Sequence, residues 1–250
     1  MQVKDKVIII TGASAGIGLA TARLLSKEGA RLALAARSKS RLRALAKELP
    51  DSLAVPTDMT RPREIRELVR KVKDRFGRVD ILVNNAGQGY DAPVERVRLT
   101  TYRHIFNLDV LGPLIAMQRV IPIMRKQKEG MILNVSSGTA LMYLPNMGLY
   151  SSLKRALAHL SLTAREELKE DGIVVSVLYP YITATDFEAN TIRDAAEDAD
   201  WAGEEDSGPF YPADSAEYIA QTILDGIHSE EAEIFAHDWM KPDDGYPRAG

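Results

Sequence analysis

Short, almost wholly apolar runs alternate along the chain with longer stretches in which apolar residues return every three or four positions. Val7–Ile10, Leu32–Ala36, Leu53–Val55, Val79–Val83, Met131–Val135, Val174–Leu178 and Glu233–Phe235 read as strands. Val7–Ile10 and Ile81–Val83 are continuously apolar, as strands buried on both faces are. The clearest helix lies between Thr60 and Phe76, where Ile65, Leu68, Val69, Val72 and Phe76 make one stripe opposite charged residues. This alternation predicts an α/β fold: a single doubly wound parallel sheet with helices on both faces. No linker, internal repeat or low-complexity segment interrupts it, so residues 1–250 read as one domain.

One region breaks the pattern. Between Asp186 and Pro212, nine acidic residues face only Arg193 as a basic partner. A segment of this kind is either a solvated surface excursion or a substrate lid over 186–212. Elsewhere the charges nearly balance, 32 basic against 35 acidic, which argues against a nucleic-acid binder. The chain has no cysteine, which excludes disulfides, thiolate metal sites and cysteine nucleophiles and fits a cytoplasmic location. No apolar run reaches the ~18–20 residues of a membrane span. The four histidines share no ligand spacing, so no metal is expected.

The first chemical signal follows the first strand. Thr11-Gly12-Ala13-Ser14-Ala15-Gly16-Ile17-Gly18 opens a helix, and glycines there let the backbone approach a pyrophosphate held by helix N-terminal amides. The spacing is G-x-x-x-G-x-G, which by itself also suits a plain tight turn. At the end of the second strand, where a carboxylate would hold the ribose 2′-hydroxyl of NAD, stands Ala36-Arg37. Unless it is only a solvated residue, Arg37 favours a 2′-phosphate and hence NADP(H) over NAD(H).

The second signal is Tyr150 with Lys154 one helical turn later, and Ser137 thirteen positions upstream at the end of a strand. With the glycine turn, Asp58 after the third strand, Asn84-Asn85-Ala86-Gly87 and the Pro180–Thr185 segment, these residues resemble the short-chain dehydrogenase/reductase family, in its single-domain members of this length. The resemblance covers nearly the whole chain and implies a Rossmann-type fold and hydride transfer between nicotinamide and a carbonyl or alcohol.

Carried onto this sequence, it makes Tyr150 the general acid or base, Ser137 the residue that orients the carbonyl oxygen, and Lys154 a ligand of the nicotinamide ribose. Cofactor contacts are implied for Gly12, Ser14, Ile17, Gly18, Arg37, Asp58, Met59, Asn85, Ala86, Gly87, Pro180, Thr183 and Thr185, with Asn84 supporting its strand. A lysine about 4–5 Å away is expected to pull the phenol's pKa down, by roughly 3–4 kcal/mol at an effective dielectric of about 20. Two positions depart from the family pattern. Asp109 stands where a fourth catalytic residue, an Asn, is usual; Asn107 lies two residues earlier and reaches that place only through a local bulge. Asp109 is therefore either a member of the catalytic group or a side chain held by a backbone contact. Tyr181 replaces the usual Gly after Pro180, and either narrows the substrate pocket or points to solvent.

Tyr143, Tyr181, Phe187, Trp201, Phe210 and Tyr211 are candidates for the pocket wall, suited to a neutral, apolar ketone or aldehyde. The leading function is an NADP(H)-dependent oxidoreductase acting on such a small molecule. The alternatives are an oxidising dehydrogenase with the same cofactor, and a nucleotide-sensing protein with the fold but little turnover. By resemblance, the chain assembles as a homodimer or homotetramer through helices near 100–126 and 150–170.

Overall fold

The computed structural model describes residues 1–193 and 212–241. Seven parallel strands form the main sheet: β1 (Val7–Thr11), β2 (Arg31–Ala36), β3 (Ser52–Pro56), β4 (Ile81–Asn84), β6 (Gly130–Val135), β7 (Ile173–Tyr179) and β9 (Glu233–Phe235). A separate two-stranded ribbon pairs β5 (Tyr90–Asp91) with β8 (Ile192–Arg193). The sheet order is β3-β2-β1-β4-β6-β7-β9, and every adjacent pair is parallel. Chain direction across the sheet reverses between β1 and β4, so a crevice opens beyond their carboxyl ends, where such sheets bind ligands.

Helices α1 (Gly16–Lys27), α2 (Lys39–Glu48), α3 (Pro62–Phe76), α4 (Leu99–Phe106), α5 (Gly112–Gln127), α6 (Gly148–Leu168) and α7 (Ala216–Ser229) complete the fold. The stripe of α3 is buried as its spacing predicts, with Ile65 and Leu68 fully covered. One face of the sheet packs residues such as Ile8, Ile10, Leu32 and Leu34 against Leu25, Leu42 and Ile223. The other packs Val7, Ile9 and Leu82 with Leu68, Val72 and Val120. The sheet thus has a core on each side, as the unbroken apolar strands require. Among the described residues, no helix is long and apolar enough to cross a membrane.

Polar atoms inside this core fix its register. Asn84 Nδ2 donates to Asn134 Oδ1 (2.8 Å), and Asn134 Nδ2 donates to Ser161 Oγ (2.8 Å), joining β4, β6 and α6. Ser136 Oγ donates to the Lys154 carbonyl (2.9 Å), which sets α6 against the end of β6.

The strand limits differ slightly from the sequence reading. Val79 lies outside β4, which starts at Ile81, and the helix expected from Thr60 starts at Pro62. Proline suits that first turn, because its missing N–H has no partner there. The larger difference is between α4 and α5, where Asn107–Leu111 forms a π turn, with the Gly112 N–H bonded to the Asn107 carbonyl.

Candidate active site

The glycine turn sits at the mouth of the crevice. Gly12 and Gly16 adopt φ of 70° and 51°, a region that side chains disfavour. A Cβ at Gly18 would run into the Gly12 carbonyl and the Asn85 amide, and one at Gly12 would meet Asn85 at 2.8 Å. The backbone is therefore bare where α1 begins, and Ser14 and Ile17 lie half-exposed around it. A cradle that a Cβ would fill fits the pyrophosphate of a nicotinamide dinucleotide, whose charge suits the N-terminal amides of α1.

Thr11, which sequence reasoning overlooked, holds this cradle to β4. Its Oγ1 accepts from the backbone N–H groups of Asn85 and Ala86, both at 3.0 Å, while Asn85 Nδ2 donates to the Thr11 carbonyl (3.0 Å). Asn85, expected to line the groove, also braces the turn. Thr185 closes the far side, with its methyl 3.1 Å from where a Gly16 Cβ would stand. Its hydroxyl accepts from the Phe187 N–H (3.2 Å), and the Thr183 hydroxyl donates to the Tyr181 carbonyl (2.9 Å).

At the outer end of the groove, Arg37 is exposed immediately after β2. Asp58 accepts from the N–H (2.9 Å) and hydroxyl (2.7 Å) of Thr60. Burial pushes the Asp58 carboxyl up, but these bonds and the charges of Arg61 and Arg37 outweigh it and hold the pKa below the ordinary value. Met59 is buried in the core, with its carbonyl close to Gly112 at the start of α5.

Ser137, Tyr150 and Lys154 converge beyond β6. Tyr150 and Lys154 share the inward face of α6, and both are buried. Lys154 Nζ lies 5.7 Å from the Tyr150 ring centre and donates to the Val135 carbonyl (3.2 Å). Ser137 follows the end of the strand and caps a short 3-10 turn, where its Oγ accepts from the Thr139 N–H (3.2 Å) and hydroxyl (3.0 Å). With its lone pairs engaged, the Ser137 hydroxyl has its proton free to donate. Pro180 accepts from the Gly138 N–H (2.8 Å), which anchors the segment after β7 beside Ser137.

Asp109 belongs to this group. The π turn swings its carboxylate beneath Lys154, with Oδ2 3.0 Å from Nζ and Oδ1 accepting from the Gln88 N–H (3.2 Å). Asp109 therefore makes both an ionic contact and a backbone contact. The bulge that Asn107 would have needed is present, but it delivers Asp109 to the site. Gly87 permits the approach: a Cβ there would stand 3.0 Å from Lys154 Nζ and 3.1 Å from Asp109 Oδ2.

The electrostatics reverse the expected direction for the phenol. Burial drives the Tyr150 pKa up; Lys154 and the Ser137 hydrogen bond pull it down, Asp109 pushes it up again, and the net shift is upward. The lysine's pull was foreseen, but the desolvation of a covered phenol and the opposing carboxylate exceed it. Burial lowers the Lys154 pKa, yet the Asp109 charge, the nearby Tyr150 oxygen and the hydrogen bond to Asp109 raise it more, so it remains an ammonium. The Asp109 pKa is raised by burial, against the lowering effects of Lys154, the Gln88 N–H and His104.

Other expectations need correction. Tyr181 does not simply point to solvent; it is half-buried and packs edge-on against His237 and Trp239, with ring centres 6.1 and 5.1 Å away. Tyr143 is largely exposed. Phe187 does reach the site, with its ring centre 5.9 Å from that of Tyr150. Trp201, Phe210, Tyr211 and most of the 186–212 excursion lie outside the described residues.

A doubly wound sheet whose switch point carries a bare glycine cradle, with a phenol and an ammonium buried beside it, defines the class of dinucleotide-dependent oxidoreductases. More narrowly, the chain belongs to the short chain dehydrogenase family, whose model matches residues 6–196. An uncharacterised oxidoreductase of Staphylococcus saprophyticus is 35% identical over 189 residues, 74% of this chain and 77% of the relative. The uncharacterised oxidoreductase YxjF of Bacillus subtilis is 33% identical over 196 residues, 76% of each chain. Among solved structures, a short-chain dehydrogenase from Streptomyces avermitilis superposes with a TM-score of 0.85 at 27% identity, covering 96% of this chain and 90% of that one. The 3-ketoacyl-(acyl-carrier-protein) reductase of Brucella melitensis, complexed with NADH, gives 0.83 at 25% identity, covering 94% and 98%. The protein is thus a family oxidoreductase using a nicotinamide cofactor and a small-molecule substrate.

Proposed function

We propose that this protein is an NADP(H)-dependent reductase of a neutral, apolar ketone or aldehyde, with Tyr150 as proton donor and Ser137, Lys154 and Asp109 as its partners. The observation that carries the reading is the convergence of the half-buried Ser137 with the buried Tyr150 and Lys154 beyond the sheet's carboxyl edge. When bound, the nicotinamide supplies the hydride. The raised pKa of Tyr150 keeps Oη protonated at neutral pH, so the phenol is set to give its proton to a carbonyl oxygen. Ser137 donates a second hydrogen bond to that oxygen, which stabilises the charge developing on it. The Lys154 ammonium then stabilises the phenolate left behind, and Asp109 holds that ammonium in place.

The preference for NADP(H) rests on Arg37, an exposed guanidinium at the end of β2 whose fork matches a phosphate. The apolar substrate rests on Phe187, partly exposed beside Tyr150. Assembly as a homodimer or homotetramer, through the outer faces of α5 and α6, completes the reading and is checked by sedimentation.

The test is a screen of NADPH oxidation against aldehydes, ketones, quinones and carboxylated keto compounds. Turnover concentrated in the uncharged carbonyls supports the proposal. Binding of the cofactor with no turnover on any of them would point instead to a nucleotide-sensing protein.

A further inference from the structure

Gln88 stands between the Asp109–Lys154 pair and the segment that covers Tyr150. Its side-chain Nε2 donates to the Asn190 carbonyl (2.9 Å), and its Oε1 lies 3.3 Å from His104 Nε2. A backbone carbonyl can only accept, so the amide must turn its nitrogen to Asn190 and its oxygen to His104. His104 Nε2 must then carry a proton, which it can do in either the neutral or the cationic imidazole. One side chain therefore ties α4 to residue 190, while its own backbone N–H braces Asp109.

The segment held in this way crosses the face of Tyr150. Ile192 pairs with Tyr90 in the ribbon, and its N–H donates to the Gly89 carbonyl (3.0 Å). A Cβ at Gly89 would collide with Thr191 and Phe187, so only glycine lets the segment lie this close. Upstream, the Phe187 N–H is fixed by Thr185 and the Asn190 N–H by the Asp186 carbonyl (3.0 Å). Phe187 is thereby held with its ring 5.9 Å from Tyr150, and the phenol is 5% exposed.

We propose that Gln88 is a positioning residue that clamps residues 186–193 across Tyr150, so that Phe187 forms the aromatic wall against which a substrate's carbonyl substituent packs. The assignment of that wall rests on the reductase reading above; the clamp itself does not. A substituent that packs on the exposed part of the Phe187 ring gains most when it is flat and apolar, which narrows the substrate class to aryl or conjugated carbonyl compounds. Gln88 acts through the segment and touches no reacting atom.

Hydrogen exchange of the full chain without substrate tests the clamp. Gln88→Met keeps the length of the side chain but removes both polar contacts, and His104→Phe removes only the donor to Gln88. The Ile192 amide should exchange about tenfold faster in Gln88→Met, which corresponds to 1.4 kcal/mol, and by a smaller factor in His104→Phe. Amides of β6 should keep their wild-type rates in both. Unchanged exchange at Ile192, or equal acceleration in β6, overturns the clamp, the second because it signals a merely weakened fold. With an aryl ketone as probe, Gln88→Met should raise KM several-fold with a smaller change in kcat. An aryl ketone that wild type does not reduce rejects the substrate class, while the exchange result still decides the clamp.

Discussion

Asp109 Oδ2 lies 3.0 Å from Lys154 Nζ, and neither side chain is open to solvent. The carboxylate opposes the ammonium's pull on Tyr150, so its charge helps to keep the phenol protonated. Asp109→Asn removes that charge, and the Tyr150 pKa should fall. In the oxidation direction, activity requires the deprotonated phenol, so the rising limb of its pH profile should move to lower pH. Reduction should lose activity at a correspondingly lower pH. Superimposable profiles for wild type and variant would remove Asp109 from the group that acts on Tyr150.

Removing the other member of the pair has a different consequence. Lys154→Met leaves the Asp109 carboxylate buried without its cation, and stripping one partner from a buried pair costs about 3–5 kcal/mol. Denaturant titration should show this loss together with loss of turnover. The double variant Lys154→Met with Asp109→Leu should recover most of the stability and none of the activity.

Tyr150→Phe deletes the proposed proton donor and keeps the ring that packs against Phe187. Turnover should fall by a factor of about 10² or more, with cofactor affinity preserved. Steady-state rates and a cofactor titration on the same preparation check both halves of this expectation.

The proposed preference for NADP(H) rests on Arg37. Calorimetry should give NADPH at least a tenfold tighter Kd than NADH, or about 1.4 kcal/mol, and Arg37→Asp should reverse the order. Equal affinities in the wild type would falsify the assignment. Gly18→Ala supplies the complementary test, because its methyl would lie on the Gly12 carbonyl and block both cofactors without discriminating between them.

Much of this was legible in the chain because it depends on local pattern. The continuous apolar strands specified a sheet buried on both faces, and the glycine turn specified its switch point. Tyr150 and Lys154 share a face because they are one helical turn apart. What was missed depends on contacts between distant segments. The bracing of the cradle by Thr11 joins β1 to residues 85 and 86, and neither stretch announces the other. The packing of Tyr181 was not foreseen because its partners, His237 and Trp239, lie more than fifty residues away. The phenol's electrostatics were misjudged because burial cannot be read from the spacing of two residues, and here it outweighs the neighbouring charge.

The π turn at Asn107–Leu111 also sets the helical phase of everything around it. Each helical residue advances about 100° around the axis, so one residue accommodated in a wider turn offsets α4 from α5 by roughly that angle. The offset lets α4 aim His104 at Gln88 and α5 aim Ala116 and Val120 into the core, with Asp109 beneath Lys154 between them. Deleting a single residue within 107–111 would permit an unbroken α-helix with a regular hydrogen-bond ladder. That smoother helix could satisfy the core or Lys154, but it could not face both.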